Sequence, residues 1–473
     1  MHAIVHRCIE KMAIVTRKEG RRFLPARKSR GPPCRFMVKN AVPISEDERI
    51  TVTWRKVIVC ALVALVGFNL RSVILGVPPI LPLIQHDLGF SYAATGLLTA
   101  LPILVLACAA WPSGLLVERI GGRACVTIGL ALLGAGAFLR ALWPTALPLF
   151  FFTLLLSLGI AMSQTAVSPL VRSWFPAQIG LVIALFSDGL IIGEAVAAGA
   201  TVPVMVQFLG RDAWIATFVF WSVPVVGLLA LWLWLAPAAH ATAPVQLSST
   251  ADTTLSTISQ SSTPPVKRAR VSALHLGIML GANSLIYFGM NGWIASYNQA
   301  IHQGGMTPLA LATLNAAQLP ASLGVTLFAQ RIAGRRWPFI AAGVVCVIAI
   351  AGWVFTPAVL EPVWVTLLGG SSALVFTLGI ALPPLLASHE EVARLTGITI
   401  SLTYAVAFVG PFLGGVLWDT FRLPAVAFLP VALASVTLIV LGALLPSRAA
   451  FGLAGEARHV EEANSSVLQE HER

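Results

Sequence analysis

The feature that most constrains this chain is a series of about twelve apolar segments, each long enough to cross a lipid bilayer. Their limits are 56–82, 91–117, 124–143, 146–170, 178–207, 212–236, 272–300, 307–332, 338–357, 362–387, 395–418 and 424–446. An open strand edge cannot survive in lipid, so each crossing is expected to be a helix. With 57% hydrophobic and 11% charged residues, the chain is predicted to be an all-α integral membrane protein.

The basic residues are unevenly distributed, and their placement predicts the orientation of the chain. Fourteen of the 31 Lys and Arg residues lie in residues 1–56, ahead of the first apolar segment. Most of the others fall in alternate short loops, and the positive-inside rule places those loops and both termini in the cytoplasm. The net charge of +11 therefore indicates contact with anionic lipid head groups of the bilayer, and no nucleic-acid partner is expected.

The chain is predicted to consist of two bundles of six helices each. A Ser- and Thr-rich stretch between the sixth and seventh segments has the composition of a flexible linker. The predicted divisions are a basic cytoplasmic N-terminal segment at 1–55, expected to be disordered, a bundle at 56–236, a cytoplasmic linker at 237–271, a second bundle at 272–446 and a cytoplasmic tail at 447–473. Two such bundles related by pseudo-two-fold symmetry are typical of carriers.

A short repeated pattern favours this duplication. Arg119 and Arg123 enclose Ile-Gly-Gly after the second segment, and Arg331 and Arg335 enclose Ile-Ala-Gly after the eighth. The shared order and position favour an internal repeat, although short loops between membrane helices are often rich in Gly and Arg. Because both turns are predicted to be cytoplasmic, their four arginines are candidates for a cytoplasmic gate.

Arg71 lies near the middle of the first apolar run, where a charged side chain is costly. An arginine at the centre of a membrane helix costs about 2.5–3.5 kcal/mol on insertion scales, and its guanidinium stays charged. The sequence therefore predicts that Arg71 faces an internal cavity and meets an anion, either a solute or an acidic side chain. Asn69, in the same segment, is a second candidate for solute binding.

Two acidic residues lie at membrane depth in the fifth segment. Counted from the cytoplasmic starts of their segments, Glu194 is level with Arg71, whereas Asp188 lies on another face of its helix and closer to the cytoplasm. An Arg71–Glu194 pair can be a structural salt bridge that neutralises both charges. It can also be a functional pair, in which a solute anion or a proton competes, and Glu194 or Asp188 is then the candidate for charge compensation or proton exchange.

Amide and phenol side chains form a stripe along the seventh segment. Its members Asn283, Tyr287, Asn291 and Asn298 fall on one side of a helix. Such a stripe either joins neighbouring helices or lines a wet cavity, and four polar residues together favour a solute-binding cavity.

Two further side chains are candidates for solute binding. Gln164 adds a polar group in the fourth segment, and Trp293 in the seventh could stack on a planar solute. Each has a structural alternative, an interhelical hydrogen bond for Gln164 and packing or lipid contact for Trp293.

Nothing in the sequence indicates an enzyme. It contains no Walker loop, HExxH or GxSxG motif, and its nine histidines form no cluster with metal-ligand spacing. The six cysteines include no CxxC pair. The chain is therefore predicted to have no catalytic residues, no metal and no cofactor.

Several strings of residues are shared with a known family. They are Phe68-Asn69-Leu70-Arg71, Pro79-Ile80-Leu81-Pro82, Gly96-Leu97-Leu98-Thr99-Ala100-Leu101-Pro102, Asp188-Gly189-Leu190, Gly193-Glu194, Tyr287-Phe288-Gly289-Met290-Asn291 and Gly414-Gly415-Val416-Leu417-Trp418-Asp419. Through them the sequence resembles the cyanate/nitroimidazole (CynX/NimT) family of the major facilitator superfamily over about residues 55–446. Ser72 departs from the family pattern, which generally has proline or a similar small residue there.

The resemblance implies a monomeric secondary transporter with the twelve-helix major facilitator fold, in a bacterial inner membrane, that works by alternating access. Its expected solute is a cyanate-like anion or another small organic compound, and proton coupling is a further expectation. Three alternatives stay open: an efflux carrier for drugs or nitroaromatic compounds, a solute sensor of the same fold that does not transport, and a passive channel.

Overall fold

A computed structural model describes residues 46–175, 178–206, 213–237, 272–332, 335–380, 382 and 392–445. The chain divides after Val52, and the membrane helices belong to the part that begins at Thr53. Almost all of the predicted N-terminal segment and linker, and the whole of the predicted tail, lie outside the described residues.

The described residues are mainly helical. The first half contains α1 (Glu46–Leu75), α2 (Leu81–Leu88), α3 (Tyr92–Ile120), α4 (Gly122–Leu142), α5 (Ala146–Trp174), α6 (Ile179–Thr201) and α7 (Ala213–Leu235). The second half contains α8 (Ala273–Ala300), α9 (Thr307–Ala316), α10 (Gln318–Ile332), α11 (Trp337–Phe355), α12 (Glu361–Ile380), α13 (Val392–Phe421) and α14 (Leu429–Ala443). Most of these bounds lie within a few residues of the predicted apolar segments, whereas α1 begins at Glu46, well before the predicted start at residue 56.

Eleven helical stretches among the described residues are long and apolar enough to cross a bilayer. The predicted eighth crossing is not one of them because it is divided at Ala317 into α9 and α10. Pro320 explains the division, since proline cannot donate the hydrogen bond to the carbonyl of Ala316 that would continue the helix. With α9 and α10 counted as one crossing, the predicted twelve-helix membrane fold is confirmed.

The first crossing is also interrupted, shortly after Arg71. Helix α1 ends at Leu75, and the chain continues through a short 3-10 turn at Pro78–Ile80 into α2. Pro78 and Pro79 lack the amide hydrogens that would continue α1. Arg71 therefore lies near the middle of the membrane span Trp54–Leu88, as predicted, and about one turn before α1 ends.

The two halves pack closely along α3 and α13. A side chain at Gly415 would overlap the backbone of Tyr92, so glycine permits the close approach of the two helices. The ring of Tyr92 stacks on Trp418 with ring centres 4.1 Å apart. The carboxylate of Asp419 accepts hydrogen bonds from the backbone N–H groups of Tyr92 and Ala93 at 3.0 and 2.7 Å. These two donors belong to the first turn of α3, which has no partners for them within its own helix.

Candidate functional site

Arg71 and Glu194 form a buried ion pair between α1 and α6. Nε of Arg71 lies 3.4 Å from Oε1 of Glu194, and the two residues are 7% and 4% exposed. The sequence places them at the same height, and the structure brings them into contact. Removal of either partner would leave a buried charge without compensation, which is strongly destabilising.

Three glycines allow α1 and α6 to approach closely enough for this pair to form. A side chain at Gly193 would overlap the carbonyl of Phe68, and one at Gly67 would overlap the carbonyl of Phe186. Gly189, one turn before Gly193, is in the same position against α1. Small residues four apart are a common way for membrane helices to pack at short distance, and here they place Glu194 beside α1.

The second half contributes two hydrogen bonds to the Glu194 carboxylate. The hydroxyl of Tyr287 on α8 donates to Oε2 at 2.7 Å. Nε2 of Gln318, the first residue of α10, donates to the same oxygen at 3.2 Å. Because helix α9 ends just before Gln318, the division of the eighth crossing positions this donor. Glu194 is thus held by an arginine of its own half and by two donors of the other half.

Tyr287 lies between two hydrogen-bond acceptors. Its hydroxyl contacts Oδ1 of Asn315 as well as Glu194. The amide of Asn315 is fixed in orientation because its Nδ2 donates to Oδ1 of Asn291 at 2.9 Å and to the Leu311 carbonyl at 2.8 Å. A hydroxyl has one proton and can donate to one acceptor at a time. When Glu194 is ionised, it accepts the hydrogen bond that the Tyr287 hydroxyl donates. When Glu194 is protonated, it can donate to the Tyr287 oxygen, and the Tyr287 hydroxyl can then donate to Asn315.

The other side of the Arg71 guanidinium meets an aromatic ring and a phenol. Its Cζ lies 5.7 Å from the ring centre of Phe288, and the hydroxyl of Tyr404 on α13 also faces it. That hydroxyl accepts a hydrogen bond from Nε2 of Gln164 at 3.4 Å. Nη1 of Arg71 is buried and has no hydrogen-bond partner in the described part of the chain. The guanidinium therefore keeps a donor that a ligand could use.

Two of the cavities in the described part of the chain are not lined by Arg71. One, of about 540 Å³, lies between the halves where His86 and Asp87 face Ser296 and Gln299. The other, of about 30 Å³, is bordered by helices α1, α3, α4, α5, α7 and α8. The prediction that Arg71 faces an internal cavity is therefore not met by these two cavities, because Glu194, Phe288 and Tyr404 enclose its guanidinium.

The polar stripe of α8 does not line one cavity as the sequence predicts. Its two middle members, Tyr287 and Asn291, belong to the cluster around Glu194. Its two outer members bind helix α12 instead: Asn283 donates to the Ser372 carbonyl at 3.1 Å, and Asn298 donates to Oε2 of Glu361 at 3.1 Å. The outer members thus donate interhelical hydrogen bonds, which is the structural alternative for such a stripe.

Three other predicted residues lie outside the cluster. Trp293 is fully buried, and its indole N–H donates to the Pro411 carbonyl at 3.1 Å, so it packs against α13 and does not face a solute site. Nδ2 of Asn69 donates to the Leu65 carbonyl of its own helix at 3.0 Å, and its Oδ1 has no partner among the described residues. Asp188 is half-buried and forms no ion pair within the described residues.

The four arginines of the predicted gate differ in their surroundings. Arg119 and Arg335 are exposed. Arg123 donates from Nη2 to the Leu233 carbonyl at 3.2 Å, near the end of α7 in the same half. The side chain of Arg331 lies outside the described residues. A contact between the halves through these arginines therefore stays a prediction.

Sequence reasoning does not identify Asn315, Phe288 or Arg140. A usable signal for Asn315 is that it lies three residues before Gln318, so both amides flank the point where Pro320 divides an apolar segment. Phe288 carries no such signal, because one phenylalanine among many apolar residues does not show which face it occupies. Arg140 lies near the end of its segment, where an arginine is ordinary.

Comparison with known proteins places this architecture in a family. The sequence profile of the Major Facilitator Superfamily matches residues 57–415. The cyanate transport protein CynX of Escherichia coli (strain K12) is 26% identical, over 75% of this chain and 88% of that protein. The 2-nitroimidazole transporter of the same strain is 28% identical, over 82% of this chain and 95% of that protein. The crystal structure of a D-xylose–proton symporter shares the fold with a TM-score of 0.65 at 12% identity, over 84% of this chain and 96% of that one.

Proposed function

The chain belongs to the Major Facilitator Superfamily, and we propose that it is a secondary active transporter whose solute is a small anion of the cyanate type. Membership of the family makes it a multi-pass membrane carrier of small solutes and not an enzyme. One observation supports the proposal most: the buried Arg71–Glu194 pair of the first half is hydrogen-bonded by Tyr287 and Gln318 of the second. Movement of the halves must therefore alter this pair.

In the proposed cycle, the solute anion replaces Glu194 at Arg71. A guanidinium can hold a small planar or linear anion through two parallel N–H donors, and Nη1 of Arg71 is an unused donor. Gln164 lies near Arg71 through Tyr404. The residues proposed to bind the solute are Arg71, Asn69, Gln164, Tyr287 and Asn291. Asn69 and Tyr287 would exchange a present hydrogen bond for the solute, and Asn291 would use the second hydrogen of its Nδ2.

We further propose that a proton accompanies the anion. A proton on Glu194 removes the charge that holds Arg71, so that the guanidinium becomes available to the solute. The groups that face Glu194 are Arg71, Tyr287 and Gln318, and the hydroxyl of Tyr287 can satisfy either protonation state by turning between Glu194 and Asn315. Uptake of one proton and one monovalent anion together would carry no net charge. Asp188 forms no ion pair in the described part of the chain and is left without a role in this cluster.

The proposed membrane, topology and division into bundles follow from the distribution of charge and from the apolar segments. We propose a bacterial inner membrane with both termini in the cytoplasm, because the basic residues concentrate in the N-terminal segment and in alternate loops. The proposed bundles are 56–236 and 272–446. Because one chain supplies both halves of the site, a monomer is sufficient. The arginine turns at Arg119–Arg123 and Arg331–Arg335 are proposed to close the cytoplasmic side.

Counterflow of labelled cyanate in proteoliposomes tests the proposal. Arg71→Lys keeps the charge but removes the bidentate donor pair, and we expect it to insert normally and to lose at least about nine-tenths of the flux, as the loss of a charge-assisted contact would cause. Arg172→Lys, at an exposed position in the last turn of α5, is the matched control and should transport as the wild type does. Undiminished counterflow in Arg71→Lys would remove this residue from solute binding.

A second candidate function is export of a nitroaromatic compound. It is favoured by the relation to the 2-nitroimidazole transporter, which this chain matches over 95% of that protein's length. The same proteoliposomes distinguish the two functions, because 2-nitroimidazole would compete with labelled cyanate if one site served both. Flux of 2-nitroimidazole without any flux of cyanate would favour this candidate.

A further inference from the structure

A second arginine, Arg140, is buried among the membrane helices of the first half and has no role in the proposed cycle. It lies in the last turn of α4 and is 3% exposed. Its Nη2 donates to the Val73 carbonyl at 3.3 Å, and its Cζ lies 4.0 Å from the ring centre of Phe218. The cation–π contact and the negative end of the α4 dipole help the protein to tolerate the charge.

Unlike Arg71, Arg140 has no acidic partner in the described part of the chain. Arg71 is paired with Glu194, whereas no ion pair of the described residues involves Arg140. Its Nε is buried and has no hydrogen-bond partner among the same residues. A buried arginine normally pairs with an anion or with backbone carbonyls. Here the Val73 carbonyl accepts from Nη2, and Nε is left without an acceptor among these residues. The missing partner is therefore one that an anionic ligand can supply.

Arg140 lines the cavity of about 30 Å³ between the two halves. Its lining includes Leu149 and Thr153 of α5 and Phe288 and Asn291 of α8. Thr153 donates to a carbonyl of its own helix, and Nδ2 of Asn291 donates one of its two hydrogens to the Tyr287 carbonyl. Nε of Arg140 is a charged donor at this cavity that has no partner among the described residues. A void of this size holds about one or two water molecules, which limits a ligand to very few atoms.

Phe288 connects this cavity with the Arg71 site. Its ring faces the Arg71 guanidinium at 5.7 Å and also lines the cavity of Arg140. On α1, the Val73 carbonyl that binds Arg140 lies close in sequence to Arg71. One aromatic ring therefore borders both the Arg71 guanidinium and the cavity that Arg140 lines.

We propose that Arg140 is a second anion-binding residue on the solute pathway, selective for monovalent anions of about three non-hydrogen atoms, the class of cyanate and formate. The inference rests on the proposed function, in which the solute is a small anion. An anion in the cavity accepts hydrogen bonds from the free donors of Arg140 and neutralises its charge. A neutral molecule of equal size supplies no charge and gains less.

Calorimetric titration of the purified full-length protein with sodium formate tests this, and formamide serves as the neutral molecule of the same shape. In Arg140→Gln we expect the formate Kd to rise at least about tenfold, the effect of losing one charge-assisted hydrogen bond, with formamide binding unchanged. Arg172→Gln is the matched control, because it removes an exposed cation from the last turn of the neighbouring helix α5. An equal loss for formate and formamide would indicate a structural role and overturn the inference.

If Arg140→Gln does not insert into the membrane, Leu149→Asp serves as the second test variant. It keeps the guanidinium and places a carboxylate in the same cavity, so we expect the same loss of formate binding. Unchanged formate affinity in this variant, or a wild type that binds neither formate nor thiocyanate, overturns the inference. If the wild type transports small anions and Arg140→Gln has an unchanged KM, this inference fails and the proposed function stands. If formate binding depends on Arg140 but the wild type transports no small anion, this inference stands and the proposed function fails.

Discussion

At the scale of single residues, the site depends on how many protons the cluster around Glu194 holds. Tyr287 has one hydroxyl proton and two buried acceptors, Glu194 and Asn315. The amide of Asn315 cannot turn without losing its bonds to Asn291 and Leu311. The cluster is therefore fully bonded when Glu194 is protonated and one proton short when it is ionised. Arg71 offsets that shortage by pairing with the ionised carboxylate.

Tyr287→Phe tests this count of protons. Loss of the hydroxyl leaves two buried acceptors with fewer donors, and we expect the variant to lose about 1–3 kcal/mol of stability, measured as a lower Tm in detergent. We also expect transport to respond less to an imposed pH gradient. Tyr92→Phe is the matched control, since no described hydrogen bond involves the Tyr92 hydroxyl. Equal thermal stability of the two variants would contradict the proposed role of this hydroxyl.

Single residues also mark where sequence reasoning succeeds and where it stops. Arg71 and Glu194 could be predicted as partners because charges inside apolar segments are rare and their heights can be counted. Trp293 and Asn298 could not be assigned in the same way, because their contacts depend on which neighbouring helix each face of α8 meets. The donors of Asn315 and Gln318 depend on a helix break that only the packed structure orients.

At the scale of helices, glycine spacing decides whether the ion pair can form. Gly189 and Gly193 are one turn apart on α6, and both lie against the backbone of α1. An added methyl group at Gly193 would overlap the Phe68 carbonyl, so the helices would have to separate. Because Glu194 follows directly, separation would lengthen its distance to Arg71.

Gly193→Ala is therefore expected to weaken both packing and transport. Overpacking of this kind costs about 1–3 kcal/mol, and a lowered Tm together with reduced counterflow would report it. Gly180→Ala lies on the same helix, where an added side chain meets open space, and it should behave as the wild type. Equal effects of the two substitutions would show that close packing of α1 on α6 is unimportant for the site.

The apolar pattern predicts the helix breaks less well than it predicts the membrane crossings. The apolar segments mark the crossings because their length must match the bilayer. They do not show that α1 ends at Leu75 or that the eighth crossing divides at Ala317. Both breaks follow from prolines, but prolines inside α3, α5, α7 and α13 leave those helices continuous. The local tertiary contacts decide between a kink and a break.

At the scale of the whole molecule, the contacts between the halves determine which state is favoured. Asp419 of α13 binds the first turn of α3 and so joins the halves at one end of these helices. The contact must break if that end opens. A ligand or mutation shifts such an equilibrium by its difference in affinity for the two states.

Asp419→Ala is expected to favour separation of α3 and α13 at this end. Spin labels at His86 and Leu423, on a background without cysteines, would report a larger fraction of long distances. The change should be of the order of several-fold, as expected for the loss of about 1 kcal/mol of capping interaction. Glu118→Ala removes an exposed carboxylate from the opposite end of α3 and is the control. An unchanged distance distribution in Asp419→Ala would mean that this contact does not hold the halves together.

Transport as proposed requires the solute anion and a proton to exchange places around Arg71 and Glu194. Proton uptake on anion binding, followed in weakly buffered solution of the purified protein, measures this exchange directly. We expect uptake of about one proton for each cyanate bound by the wild type, and none in Glu194→Gln, which cannot take one. Binding of cyanate without proton uptake in the wild type, or equal uptake in Glu194→Gln, would contradict the proposed exchange.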